Sequence, residues 1–210
     1  MPVKNHEDRI EIRLVGEGGQ GMILAGIILA EAAAIYDGKN AVQTQNYGPE
    51  ARGGASRSEV IISNGEIDYP KVIRADVLVA MSQEACDKYI TTLKKNGILI
   101  VDENKVERVL TTRAIKAPIT RLAVEATGAT ITANVVALGL LVGLTGIVSR
   151  QAIEKAVAAR APKGTVEINL AALAAGFTAA ERLKKQPISA LATHKSDIWE
   201  ETDPPPVEAD

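Results

Sequence analysis

The sequence predicts a three-layer α/β fold, a mainly parallel sheet with an antiparallel hairpin and helices on both faces. Three observations carry this expectation. Short apolar runs such as ADVLVAMS at 75–82 and ILIV at 98–101 read as buried strands and alternate with helical patterns. The glycine-rich turn Gly16-Glu-Gly-Gly-Gln-Gly21 joins a strand pattern to a helix pattern. Hydrophobic residues make up 46% of the chain but aromatic residues only 3%, so Ala, Val, Ile and Leu must fill the core.

Taken in order, Ile10 to Val15 alternates and then runs apolar, as a first strand would, and stops at Gly16. From Gly21 an apolar helix runs to about Tyr36, where Asp37-Gly38 ends it. Ala41 to Gln45 reads as a short second strand, and Tyr47 to Gly54 as a loop. Ser56 to Ser63 is the next strand. Asn64-Gly65 is a hairpin signal leading into Glu66-Ile67-Asp68, which makes part of the sheet antiparallel. Ala75 to Ser82 is a buried strand. A helix is expected to about Leu93 and to end at Asn96-Gly97, before the strand Ile98 to Val101 that closes at Asp102. Helices follow at about Thr120 to Thr127, Ala133 to Thr145, Ser149 to Ala159 and Leu170 to Lys185. Ser149, with Gln151 and Glu154 behind it, reads as a helix start.

With 210 residues the chain fits one domain, 1–186, followed by an acidic tail, 187–210, which contains Pro204-Pro205-Pro206. The tail reads as loosely ordered or as packing on a neighbouring chain. A net charge of −2 argues against a nucleic-acid binder, which would carry a basic stripe. The apolar run Ile131 to Val148 is interrupted by Thr132, Asn134 and glycines, and reads as a buried central helix rather than a membrane span. Cys86 is the only cysteine; it forms no internal disulfide and cannot hold an iron–sulfur cluster, which takes about four thiolates. A reducing, cytoplasmic setting is the expectation.

Gly16, Gly18 and Gly21 satisfy the spacing of a Rossmann-like nucleotide turn between strand and helix. On that reading Gly16 permits the tight turn, Gly18 admits a ligand or another backbone, Gly21 lets the helix pack closely on the sheet, and the helix start holds an anion. A dinucleotide site also needs an acid about 20 residues on, at the end of the second strand. Here that stretch is Val42-Gln-Thr-Gln-Asn46, without an acid; Asp37 comes too early and Glu50 too late. The loop therefore reads equally as a structural turn or as a surface for a phosphate or another subunit.

Tyr47-Gly-Pro-Glu-Ala-Arg-Gly-Gly54 follows the second strand and should lie at the same sheet edge as the glycine loop. Arg52 offers a planar fork for a carboxylate or phosphate, Glu50 could orient it, and Ser56 and Ser58 add hydroxyls. The plainer alternative is a loop closed on itself by an Arg52–Glu50 pair. Ordinary catalytic candidates are poor: His6 and His194 lie in the terminal arms, Cys86 reads as a core or half-buried thiol, and no metal-ligand spacing is visible. Asp102 and Glu103 end a strand, where acids are common; Asn134 either caps its helix or faces the cleft.

GEGGQG after the first strand, YGPEARGGASRSEV after the second, and ANVVALGLLVGLTG with VEINLAALAAGF in the last third resemble the gamma subunits of 2-oxoacid:ferredoxin oxidoreductases. The resemblance spans most of residues 10–185. The second motif is most similar to gamma subunits of the 2-oxoglutarate enzymes and related branched-chain enzymes; indolepyruvate oxidoreductase beta chains share the domain. The resemblance implies a complex that decarboxylates a 2-oxoacid on thiamine diphosphate, passes electrons through iron–sulfur clusters to ferredoxin and forms an acyl-CoA. It implies that those cofactors sit on alpha, beta and, where present, delta partners. This chain would then be a non-redox subunit, inactive alone, that assembles the complex and contacts coenzyme A. The residues matching the motifs are Gly16, Gly18, Gly19, Gln20 and Gly21, with Tyr47, Glu50 and Arg52, and Arg52 is the expected anion contact. No catalytic residue and no metal ligand is assigned to the chain. The family often has Asn-Met at Asn134-Val135, so no Met contact is carried over, and the acidic tail has no counterpart. Two other readings stand beside this one: a stand-alone NAD(P)-dependent dehydrogenase and a purely structural assembly subunit. A surface shaped for partners leaves open whether the isolated chain forms a homodimer.

Overall fold

Alternation on the first strand sorts two chemistries onto two faces of one sheet. β1 (Arg9–Glu17) sends Ile12 and Leu14 into the larger hydrophobic core and Val15 into a smaller one on the other face. The computed structural model describes residues 9–47, 55–109 and 114–185. The motif residues Glu50 and Arg52, the histidines and the tail 187–210 lie outside these described residues.

β1 is followed by α1 (Met22–Glu31), which continues as a wider turn through Ala32–Tyr36, close to the expected end. β2 (Asn40–Tyr47) and β3 (Ala55–Ser63) come next, then β4 (Ala75–Ala80), α2 (Gln83–Tyr89), β5 (Leu93–Asp102) and β6 (Ala114–Ala117). The last third is helical: α3 (Ile119–Thr127), α4 (Ala133–Thr145), α5 (Arg150–Arg160) and α6 (Val166–Lys185). The six strands lie in the order β2-β3-β1-β4-β5-β6. β3 runs antiparallel to both β2 and β1, whereas β1, β4, β5 and β6 are parallel. α1 and α3 to α6 share the larger core, and α2 alone covers the smaller one with Ala85, Cys86 and Tyr89. Both faces are covered, as expected, but unequally.

The antiparallel hairpin exists, in a different place from the one the sequence suggested. β2 and β3 form it, while no strand follows Asn64-Gly65. Both edges of β3 are already taken by β2 and β1, so Glu66-Ile67-Asp68 has no open edge to pair with. Asn96-Gly97 does not end a helix either. α2 stops at Tyr89, a single tight turn follows over Ile90–Thr92, and the chain is extended from Leu93. The β4–β5 register jumps between Ala75↔Leu93 and Val77↔Ile98, and Asp76 fills the irregularity by accepting the Glu11 amide (2.8 Å) and pairing with Lys94 (2.9 Å). β6 escaped the sequence reading because four edge residues, AIKA, carry too little periodicity. α6 begins at Val166 rather than Leu170.

α4 matches its expected bounds and is buried over most of its length, from Ala133 to Val142. Its glycines explain how a helix of small side chains stays packed. A Cβ on Gly139 would meet the backbone of Leu173 and Gly176, and one on Gly143 would meet Ala180 at 2.6 Å. α4 and α6 therefore touch backbone to backbone and run in the same direction, since 139 faces 173 and 176 while 143 faces 177 and 180. Among the described residues no helix is long and apolar enough to cross a membrane.

Arg13 is a buried cation on the α2 face. Its Nε donates to Glu59 Oε1 at 2.8 Å, Nη2 donates to the Val72 carbonyl at 2.7 Å, and Nη1 donates to the Thr92 hydroxyl. The guanidinium also lies 5.8 Å from the Tyr89 ring centre. This network ties β1, β3, the 64–74 segment and the end of α2 together.

Candidate functional site

The carboxyl ends of β1, β4 and β5 lie along one sheet edge, the edge where open α/β sheets bind ligands. Ser56 pairs with both Gly16 and Tyr47 in the ladder, so β1 and β2 end at the same side of the sheet; the segment 48–54 lies outside the described residues. The structure thus brings Gly16, Gly18, Gly19, Gln20 and Gly21 to one place and sets Tyr47 two strands away from Gly16.

Inside the glycine loop the free volume is taken by side chains of the protein itself. Gln20 Oε1 accepts the Glu17 amide at 2.8 Å, and Gln20 Nε2 donates to the Met81 carbonyl at 3.0 Å. A Cβ on Gly16 would collide with that Oε1. Gly21, at φ 72°, opens α1; a Cβ there would stand 2.6 Å from Asn134 Nδ2, which donates to the Gly21 carbonyl at 3.2 Å. Gly21 therefore packs against α4, where the sequence reading placed it against the sheet. Gly18 and Gly19 form the exposed tip.

Beside the tip is a cleft of about 390 Å³, walled by Gly19, Gln20 and Met81 on one side and by Lys105, Thr130 and Ile131 on the other. Lys105 brings a cation to a lining that contains no carboxylate. Its ammonium has no ion pair among the described residues. The start of α4 faces the same space through Ala133, and a helix start favours anions. Ile131, 78% exposed, stands at the rim.

Other sequence candidates are spent on structure. Ser56 donates to the Gly16 carbonyl at 3.1 Å, and Ser58 accepts from Gln43 at 2.9 Å; both are buried. The fully buried Asp102 accepts the Thr120 amide (3.1 Å), the Thr120 hydroxyl and the Asn104 amide (3.2 Å), so it caps α3 and the turn after β5. Glu103 pairs with Arg121 at 3.5 Å. Asn134 neither caps α4, whose N-cap is Thr132, nor lines the cleft; it is buried, and its Oδ1 accepts the Val135 amide at 3.0 Å. Cys86 is in the small core, and burial first, with Asp87 beside it, pushes its thiol up to about 11.

Sequence reasoning missed Lys105, Thr130 and Ile131. Lys105 was within reach, because a residue just after a strand end at Asp102 must sit at the ligand edge. Thr130 and Ile131 were not, since only tertiary packing places the start of α4 across from the glycine loop.

The sequence profile of the pyruvate ferredoxin/flavodoxin oxidoreductase family matches residues 11–179. The chain is 53% identical over 179 residues to the 2-oxoglutarate synthase subunit KorC of Methanocaldococcus jannaschii, covering 83% of this chain and 96% of that one. The KorC subunit of Methanothermobacter thermautotrophicus is 55% identical over 178 residues, covering 81% and 94%. Among solved structures, the gamma subunit of a keto/oxoacid ferredoxin oxidoreductase from Geobacter sulfurreducens superposes with a TM-score of 0.74 at 51% identity, covering 82% of this chain and 99% of that chain. A 2-oxoglutarate:ferredoxin oxidoreductase from Magnetococcus marinus shares the fold at 22% identity, with a TM-score of 0.73 over 94% of this chain and 34% of that one.

Proposed function

The chain belongs to the pyruvate ferredoxin/flavodoxin oxidoreductase family, as a gamma subunit of the 2-oxoglutarate:ferredoxin oxidoreductase kind, and from that premise we propose how it serves the complex. It assembles with alpha, beta and, where present, delta subunits in the cytoplasm, and it holds part of coenzyme A in the cleft beside the glycine loop. The whole complex carries out CoA-dependent oxidative decarboxylation of 2-oxoglutarate and delivers the electrons to ferredoxin. Thiamine diphosphate and the iron–sulfur clusters belong to the partner subunits. One buried cysteine supports that division, because a cluster takes about four thiolates.

The observation that carries the coenzyme reading is the cleft, whose lining combines Lys105 with the start of α4 and contains no acid. Coenzyme A is a polyanion with a long amide arm, and such a lining suits its phosphates. Gly18 and Gly19 leave the tip open to an approaching chain, and Arg52 supplies a second anion contact from the loop after β2. What the residues of this chain do is bind and orient, while the partners supply the redox chemistry.

The reading as a purely structural assembly subunit draws on a different observation: Gln20 and Asn134 fill the glycine loop from within. It predicts that loop variants weaken subunit association and leave the KM for coenzyme A unchanged. A stand-alone NAD(P) dehydrogenase is disfavoured by topology, because β3 separates β2 from β1, which places the end of β2 away from a ligand on α1.

Reconstitution decides between these. Purified alpha and beta partners are assayed with and without this chain, following 2-oxoglutarate-driven reduction of a viologen dye with and without coenzyme A. Activity that needs both the chain and coenzyme A supports the proposal. A chain that neither associates with those partners nor alters their activity overturns it.

A further inference from the structure

We propose that Gln20 is a specificity-determining residue that closes the inside of the glycine loop to diphosphates, so that the loop meets the cleft only through Gly19 and Gln20 itself. The argument starts from the motif. A loop of this spacing binds a diphosphate through the free N–H groups between strand and helix. In this chain the Glu17 amide already donates to Gln20 Oε1 at 2.8 Å. The same carboxamide is anchored at its other end, where Nε2 donates to the Met81 carbonyl at 3.0 Å, so it spans from the end of β1 to the end of β4. It lies in the space a Gly16 side chain would take. Gly16 therefore makes room for Gln20, not for a ligand.

A diphosphate entering the loop would have to displace a side chain held by two hydrogen bonds and fitted over Gly16. At the far end of the loop Asn134 takes the space beside Gly21 in the same way. Two neutral carboxamides thus occupy the inner side of a turn whose glycine spacing advertises a nucleotide site. The phosphates of a ligand in the cleft are consequently directed to the Lys105 side, and the loop offers them only Gly19 and the outer side of Gln20. This deepens the coenzyme reading, yet its test uses the free chain and inorganic pyrophosphate, so a failed reconstitution and a failed Gln20 assignment are told apart.

Amide signals of the full-length chain are followed by NMR while pyrophosphate is added to wild type, Gln20→Ala and Gln20→Glu. Wild type is expected to keep the Glu17 amide protected from exchange and to show no shift there with pyrophosphate. Gln20→Ala frees that amide, so its exchange accelerates about tenfold or more. Pyrophosphate then shifts Glu17 and binds at least about tenfold more tightly than to wild type, the worth of one charge-assisted bond. Gln20→Glu keeps an acceptor but loses the donor to the Met81 carbonyl, and its negative charge is expected to keep pyrophosphate from binding. Unchanged amide signals for Val77 and Val79 in β4 confirm that a variant is folded; if Gln20→Ala is not, Gln20→Ser, which also lacks the reach, takes its place. Pyrophosphate shifting Glu17 in wild type, or no gain of binding in a folded variant that lacks the carboxamide, overturns the assignment.

Discussion

Asn134 and Gly21 meet across more than half the sequence: the Asn134 carboxamide donates to the Gly21 carbonyl at 3.2 Å and stands 2.6 Å from where a Gly21 side chain would begin. Gly21→Ala is expected to destabilise the chain by about 3 kcal/mol, combining a left-handed backbone of about 1–2 kcal/mol with the steric conflict. Asn134→Ala alone should lose about 1–2 kcal/mol. The double variant should be more stable than the sum implies, because the second change removes the obstacle met by the first. Urea unfolding of the four proteins measures the coupling, and strict additivity would refute the contact.

Arg13→Met leaves the buried Glu59 carboxylate with only the longer Arg57 contact at 3.5 Å and the Thr44 hydroxyl at 3.4 Å, and should cost about 3 kcal/mol. Changing Glu59 to Leu in the same chain is expected to recover part of that loss. Denaturant midpoints test this; equal losses in the single and double variants would show that the pair contributes through packing alone.

Cys86 yields a pH prediction. Its thiol is raised from 9.0 to about 11 by burial, so the folded state keeps a proton that the unfolded chain releases. The unfolded state then binds fewer protons, and stability falls as pH rises from about 9 towards about 11, while below 9 the thiol contributes no slope. Unfolding midpoints at pH 8 and 10.5 should separate more in wild type than in Cys86→Ala. A thiol reagent at pH 8 should label the native chain far more slowly than the unfolded one.

Lys105→Ala in the assembled complex should raise the KM for coenzyme A about tenfold while kcat changes little, because it removes a binding contact. Arg52→Ala should act in the same direction. If neither variant alters the KM or subunit association, the coenzyme reading loses its two cations.

Periodicity made the strands and helices legible wherever a run was long. Ala133 to Thr145 was readable to the residue because a long, mainly apolar stretch without a charge ends at Gly146. Asn64-Gly65 misled because turn chemistry is local, whereas the availability of a strand edge is a property of the whole sheet. AIKA at 114–117 becomes a strand only because β5 offers an edge. At the site, the sequence placed the glycine loop correctly and gave no sign that Gln20 would fold back over Gly16, since a Gln in a turn carries no signature of where its carboxamide points. Lys105 and Ile131 join the loop through β5 and α4, and such juxtapositions exist only after packing.

The insertion of β3 beside β1 also fixes an order of events at the ribosome. Both neighbours of β1 lie later in the chain, with Arg9 pairing Ser63 and Ile12 pairing Val77. The nascent amino-terminal segment, with Ile12 and Leu14 bare, must therefore wait unpaired until the residues of β3 emerge. Contacts this far apart in sequence close slowly. During synthesis an unpaired apolar strand is an adhesive surface, so chaperone capture of short nascent chains should diminish once the stretch ending at Ser63 has cleared the exit tunnel.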